Sequence, residues 1–147
     1  KTNIKNIVFL IVTNKIVQVK NKNIKIVNKK LTNMEFKHLY QNAIISLGQL
    51  GSGSRINFTI PHKFFESAFF ATPYVSFSNS PIKNLCKNNE VIFIRDFSEL
   101  ETILLKISIN PKTYQHFGKN LRKRYNLLFS QKRITDNFYE VLSTTLL

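Results

Sequence analysis

The sequence predicts an α/β fold, a parallel sheet covered by helices on both faces, and three observations carry that expectation. Short runs rich in β-branched residues alternate with helical patterns almost from end to end. Those runs are nearly all apolar, as strands buried on both faces are. The chain has 147 residues, 43% of them hydrophobic, which is enough for one ordinary globular domain with a real core.

The elements follow in order. NIVFLIVT supplies the first strand; its apolar centre, Ile7 to Val12, is far short of the ~20 residues that span a bilayer and is followed by polar residues, so it reads as a buried strand. NIKIVNK, Asn23 to Lys29, is the second. Thr32 stands three residues before Glu35, the spacing of a capping box, and opens a helix with Phe36, Leu39, Tyr40 and Ala43 on one face. AIISLGQL is the third strand, and GSGSRINFTI after it is the only glycine and serine cluster. The helix within PHKFFESAFFATPYV stops at Thr72 and Pro73, YVSFS makes a fourth strand, SPIKNLCKN a short helix and VIFIRD a fifth strand. Ser98 and Glu101 repeat the capping-box spacing before Leu100, Ile103, Leu104 and Ile107 at core spacing. Asn110 and Pro111 supply a cap and a first-turn proline for a long basic helical tail. Residues 1–147 are thus expected to form a single domain, with an α/β core over 1–109, C-terminal helices over 110–147, and neither repeat nor linker.

A net charge of +14 and a pI of about 10.1 would suit nucleic acid, an anionic membrane or a phosphorylated ligand. Lysine is nevertheless mixed with asparagine, isoleucine and phenylalanine along the chain, the bias of an AT-rich genome. The charge is therefore read as composition and a solvated surface, not as a specific nucleic-acid site. The lone Cys86 excludes an internal disulfide and a cysteine metal cluster, and His38 and His116 lack spaced partners, so no metal is expected. A cytoplasmic location follows as the expectation, with peripheral contact at the inner membrane face left open. The chain begins at Lys1 instead of methionine, which reads as a segment of a longer protein.

Ligands of open parallel sheets bind beyond the C-terminal ends of the strands, and GSGSRINFTIP occupies such a position. Backbone N–H groups at a helix start, helped by Gly51 and Gly53, favour a diphosphate. Glu66, one turn into that helix, is placed to accept hydrogen bonds from a pair of sugar hydroxyls. On chemistry alone two other readings remain: a flexible connection, and an acid that merely favours the helix dipole. Ser52, Pro61, His62 and Lys63 complete the candidate loop, although lysine in so lysine-rich a chain is more often a solvated stem.

The segment IPHKFFESAFFATPYV resembles the IPxKxFE segment in the C-terminal domain of group 1 glycosyltransferases of the GT-B fold. Downstream, SNSPIKNLCKNNEVIFIRDFSELETIL is similar to the family's turn, helix, strand and acidic residue. The tail resembles theirs through Asn110, Pro111, Gly118, Arg122, Phe129, Ser130, Ile134 and Tyr139, and KLTNMEFKHLYQNAIISLGQL matches upstream. The resemblance covers nearly the whole chain in order. It implies a Rossmann-like domain, one half of a GT-B enzyme, in which Glu66 binds the donor ribose while Gly51, Ser52, Gly53, Pro61, His62 and Lys63 lie along the diphosphate and donor sugar. Phe64, Phe65, Phe69 and Phe70 would anchor the helix. Two positions depart from the pattern: Phe58 stands where many relatives carry a second glutamate, and Ala71 where the family has glycine before the strand proline.

The function implied is transfer of a sugar, with retention, from a nucleotide-diphosphate donor to a glycan, lipid-linked or cell-surface acceptor, with no cofactor beyond that donor. No catalytic residue is assigned, because the acid or base that activates the acceptor belongs to an N-terminal acceptor domain, expected in cis or in trans. Alternatives are a stand-alone donor subunit and a non-catalytic basic module that binds nucleic acid. The tail KNLRKRYNLLFSQKR would also suit an anionic membrane surface, but its likeness to the family tail favours a helix packed across the domain junction.

Overall fold

The computed structural model describes residues 7–51, 53–54 and 58–145. Strands β1 (Phe9–Val12) and β2 (Ile24–Val27) pair in parallel, Phe9 opposite Ile24 and Val12 opposite Val27. Strands β3 (Ser46–Leu47), β4 (Tyr74–Phe77) and β5 (Ile92–Ile94) form a second parallel sheet in that order. The α/β class with parallel strands is as the sequence predicts, but the sheet is divided into two. The apolar run expected as one long third strand pairs in a ladder over Ser46–Leu47 alone, with single bonds from Gly48 N to Val75 O (2.7 Å) and from Phe77 N to Gln49 O (3.0 Å) extending it. Gly48 is required there, because a Cβ would fall on the ring and hydroxyl of Tyr74.

Alternation along β4 and β5 sends side chains to two cores. Val75, Ile92 and Ile94 meet Leu100, Ile103, Leu104 and Ile107 of helix α4 (Phe97–Ile109) on one face. On the other, Tyr74 and Val91 meet Phe64 and Ala68 of α2 (His62–Phe70), Ile82 of α3 (Ser80–Leu85) and Leu121 of α5 (Gln115–Phe129). Helices α1 (Asn33–Asn42) and α6 (Gln131–Thr145) complete the described set.

The Thr32 capping box forms as expected: Thr32 Oγ1 accepts from Glu35 N at 3.3 Å, and Glu35 Oε2 accepts from Thr32 N at 2.9 Å. The expected cap of α4 needs correction. Asp96, not Ser98, begins it, its Oδ1 accepting from Ser98 N at 2.9 Å and Glu99 N at 3.0 Å. A carboxylate at a helix N-terminus is the stronger acceptor there, so the earlier acid takes the cap. Asn110 likewise ends α4 instead of opening the tail. Its Oδ1 accepts from Lys112 N at 3.0 Å, Pro111 lies in a turn, and the tail helix starts only at Gln115. Ser130, in an extended conformation, then breaks the tail in two.

The first strand is also not the buried strand expected. Ile7 and Phe9 pack against the α4 core, whereas Val8 (53% exposed), Leu10, Ile11 and Val12 are all exposed, the alternate residues Val8, Leu10 and Val12 on the face away from that core. Parallel neighbours need a long crossover, usually a helix that covers one face. Between Thr13 and Asn23 no helix forms, so that face stays open.

Candidate functional site

All strands within each sheet run in parallel, so the segments that follow β3, β4 and β5 leave the second sheet at one end. There a polar clasp closes the feet of the Gly-Ser loop. The fully buried Asn79 donates from Nδ2 to Gln49 Oε1 (3.1 Å) and to the Thr59 carbonyl (3.0 Å), while its Oδ1 accepts from Ile82 N (2.9 Å) at the head of α3. Ser76 Oγ donates to the Gln49 carbonyl (3.1 Å), and Gln49 Nε2 donates to Thr59 Oγ1 (3.4 Å). Loop feet with these bonds, at Gln49 and Thr59, are held in place. Asn79 and Gln49 were not among the residues singled out from the sequence. The signal for Asn79 was present, as an asparagine before Ser80-Pro81 has the pattern of a helix cap with an early proline.

Gly51 and Gly53 are exposed, with open space where a Cβ would be added, and no described glycine has a positive φ. Neither turn geometry nor packing demands glycine at these two positions. Ser52 and residues 55–57 lie outside the described residues, and Phe58 is exposed. Pro61 stands at the N-cap of α2 and its carbonyl accepts from Phe64 N at 2.9 Å, but it provides no side-chain cap. His62 and Lys63, exposed, form the first turn.

Glu66 lies beyond that first turn, which contains no acidic residue, so a simple role as partner of the helix dipole does not account for it. Its Oε2 accepts from the Tyr40 hydroxyl at 2.6 Å, in a half-buried setting. Burial first, and then this hydrogen bond to Glu66, hold the Tyr40 hydroxyl above its ordinary pKa, so it stays a proton donor. Tyr40 is itself locked. Its ring stacks on Phe70 (5.4 Å, 18°), and its carbonyl accepts from Thr72 Oγ1 at 2.8 Å. A carboxylate can accept about four hydrogen bonds, so one phenol orients Glu66 without exhausting it. Sequence periodicity placed Tyr40 on the core face of α1; the need of a half-buried phenol for a polar partner was the available clue to more.

Of the four expected anchors of α2, Phe64 is buried, Phe65 packs edge-on to Phe64 and Phe129, and Phe70 meets Tyr40. Phe69 is 48% exposed but carries the Arg122 guanidinium 4.4 Å above its ring, and Arg122 also donates to the Phe69 carbonyl. A cleft of about 400 Å³ opens at the other end of β3 and β4, between Tyr40, Phe70, Thr72, Pro73, Pro111 and Lys119. It is not where the loop lies. His38 contacts the Asn42 side chain and His116 packs on Phe117; among the described residues no group of three or more His, Cys, Asp or Glu could hold a metal ion. Among them, too, no helix is long and apolar enough to cross a membrane. No protein-family model, curated protein or solved structure matches this chain.

Proposed function

We propose that this chain is the donor-binding half of a GT-B glycosyltransferase, a Rossmann-like domain that holds a nucleotide-diphosphate sugar for transfer to a glycan or lipid-linked acceptor. The observation that carries the reading is the Glu66 carboxylate, set one turn into the helix behind a clasped loop and oriented by the Tyr40 hydroxyl at 2.6 Å. Ribose hydroxyls donate to the remaining lone pairs of Glu66. The first amides of α2, which no side chain caps, face the diphosphate, with Lys63 and His62 beside them. Acceptor activation falls to an N-terminal domain in cis or in trans, so this chain alone binds donor and performs no sustained transfer.

Calorimetry with uridine and guanosine diphosphates tests the assignment. Glu66→Ala, with its fold checked by circular dichroism, is expected to lose hydrogen bonds to a charged acceptor worth ~1.5 to 3 kcal/mol, roughly ten- to a hundredfold in affinity. Unchanged affinity in the folded variant removes Glu66 from the site, and no nucleotide binding by the unaltered chain ends the proposal.

A further inference from the structure

Positive charge is not spread evenly in this molecule. Residues 1–34 contain eight lysines and no aspartate or glutamate, against a net charge of +14 for the whole chain. Within this acid-free segment lies the uncovered face of the β1–β2 sheet. Val8, Leu10 and Val12 form its outward row, and Lys25, paired with Leu10 in register, shares that side. The crossover from Thr13 to Asn23, which has no helix, adds Ile16 at 88% exposure, together with Val17 and Val19. Lys15, Lys20 and Lys22 are interspersed among them, all exposed. Aliphatic side chains and lysines therefore alternate, exposed, along one continuous stretch of chain through β1, the crossover and β2.

The geometry points to this surface as a docking site for an anionic lipid bilayer. A membrane interface takes up scattered aliphatic side chains without shape complementarity, and its anionic headgroups complement the lysines. A single-stranded nucleic acid fits less well, because it needs exposed aromatic platforms. Phe9 is the only aromatic residue between positions 7 and 31, and it packs inward. A second copy of the chain fits less well too, since a two-fold contact would set these lysines against themselves. The inference does not depend on the glycosyltransferase reading.

Co-sedimentation of the full chain with vesicles tests it. Binding is expected to vesicles that contain phosphatidylglycerol and not to pure phosphatidylcholine, and to weaken as salt rises. Lys15→Ala, Lys20→Ala and Lys22→Ala together are expected to lower partitioning about a hundredfold, at about 1 kcal/mol for each lysine near the surface. Ile16→Asp with Val17→Asp lowers it as well, at exposed positions where the fold, checked by circular dichroism, is retained. Absence of binding to anionic vesicles overturns the proposal, and so does binding that the aspartate variant leaves intact. Concentration-dependent dimerisation abolished by Leu10→Lys, or RNA binding abolished by the lysine changes, in either case without vesicle binding, reassigns the surface to a second copy or to nucleic acid.

Discussion

The hydroxyls of Tyr40 and Tyr74 are chemically alike, yet their surroundings give them opposite energetic roles. Tyr40 donates to the Glu66 carboxylate at 2.6 Å, a charge-assisted bond in a half-buried site. Tyr74 is fully buried, and its hydroxyl, packed against Gly48, makes no hydrogen bond of good geometry; the Ser76 side chain and the Gln49 backbone are near enough only to oppose part of the rise in its pKa. Removing a bonded hydroxyl leaves its acceptor short, whereas removing an orphan relieves a desolvation cost. Tyr40→Phe is therefore expected to cost ~1 to 2 kcal/mol of stability and, if Glu66 holds the donor ribose as proposed, to weaken nucleotide binding severalfold through a less ordered Glu66. Tyr74→Phe is expected to be neutral or stabilising. Urea denaturation of the two variants separates them; equal losses would mean that hydrogen bonding does not distinguish these phenols. From the sequence, both tyrosines are equally apolar-face residues. The partner of Tyr40 sits 26 positions away on another helix, and periodicity carries no information about such a pair.

Among the elements, local signals were legible and tertiary ones were not. The Thr32 box is written within four residues and formed as read, as did the core row of α4. Competition between neighbouring caps misplaced the start of α4, and the exposed face of β1 was illegible because it depends on a crossover helix that never forms. Ala71, where the glycosyltransferase pattern that the sequence resembles has glycine, is a strained position in the structure. It ends α2 in the left-handed region (φ 58°, ψ 28°), where a Cβ is disfavoured by ~1 to 2 kcal/mol and glycine is the usual residue. Ala71→Gly is expected to raise stability by about 0.5 to 1 kcal/mol, since greater freedom of the unfolded glycine offsets part of the relief. Gly118 is the opposite case. A Cβ there would fall on the Ala71 carbonyl where α5 crosses the end of α2, and backbone cannot rotate away. Gly118→Ala is expected to cost ~1 to 3 kcal/mol. Thermal unfolding reads both signs, and a stabilised Gly118→Ala would mean that α5 is not seated as described.

For the molecule as a whole, stability above neutral pH sets two effects against each other. Burial pushes the Cys86 thiol from 9.0 up to about 12 and the Tyr74 phenol from 10.0 up to about 12, and Tyr40 is raised as well. In each case the fold favours the protonated form. The stabilising contribution is fully present below the unfolded pKa and is lost as pH rises from about 9 towards the folded values near 12, because the unfolded chain gives up its protons first. The slope is up to ~1.4 kcal/mol per pH unit for each group. Loss of net positive charge acts the other way, since a chain with a net charge of +14 relieves its self-repulsion as the pH rises towards its pI of about 10.1. The wild-type profile alone therefore mixes both effects, and comparison with Cys86→Ala and Tyr74→Phe isolates the first, because neither variant changes the lysines. The denaturation midpoint of the double variant is expected to fall less steeply than that of the unaltered protein between about pH 9 and about pH 11. The Cys86 share should appear first and the Tyr74 share about one unit later. Parallel profiles for the two proteins would show that these buried groups ionise as readily in the folded state as in the unfolded chain, and that the lysines alone set the alkaline behaviour.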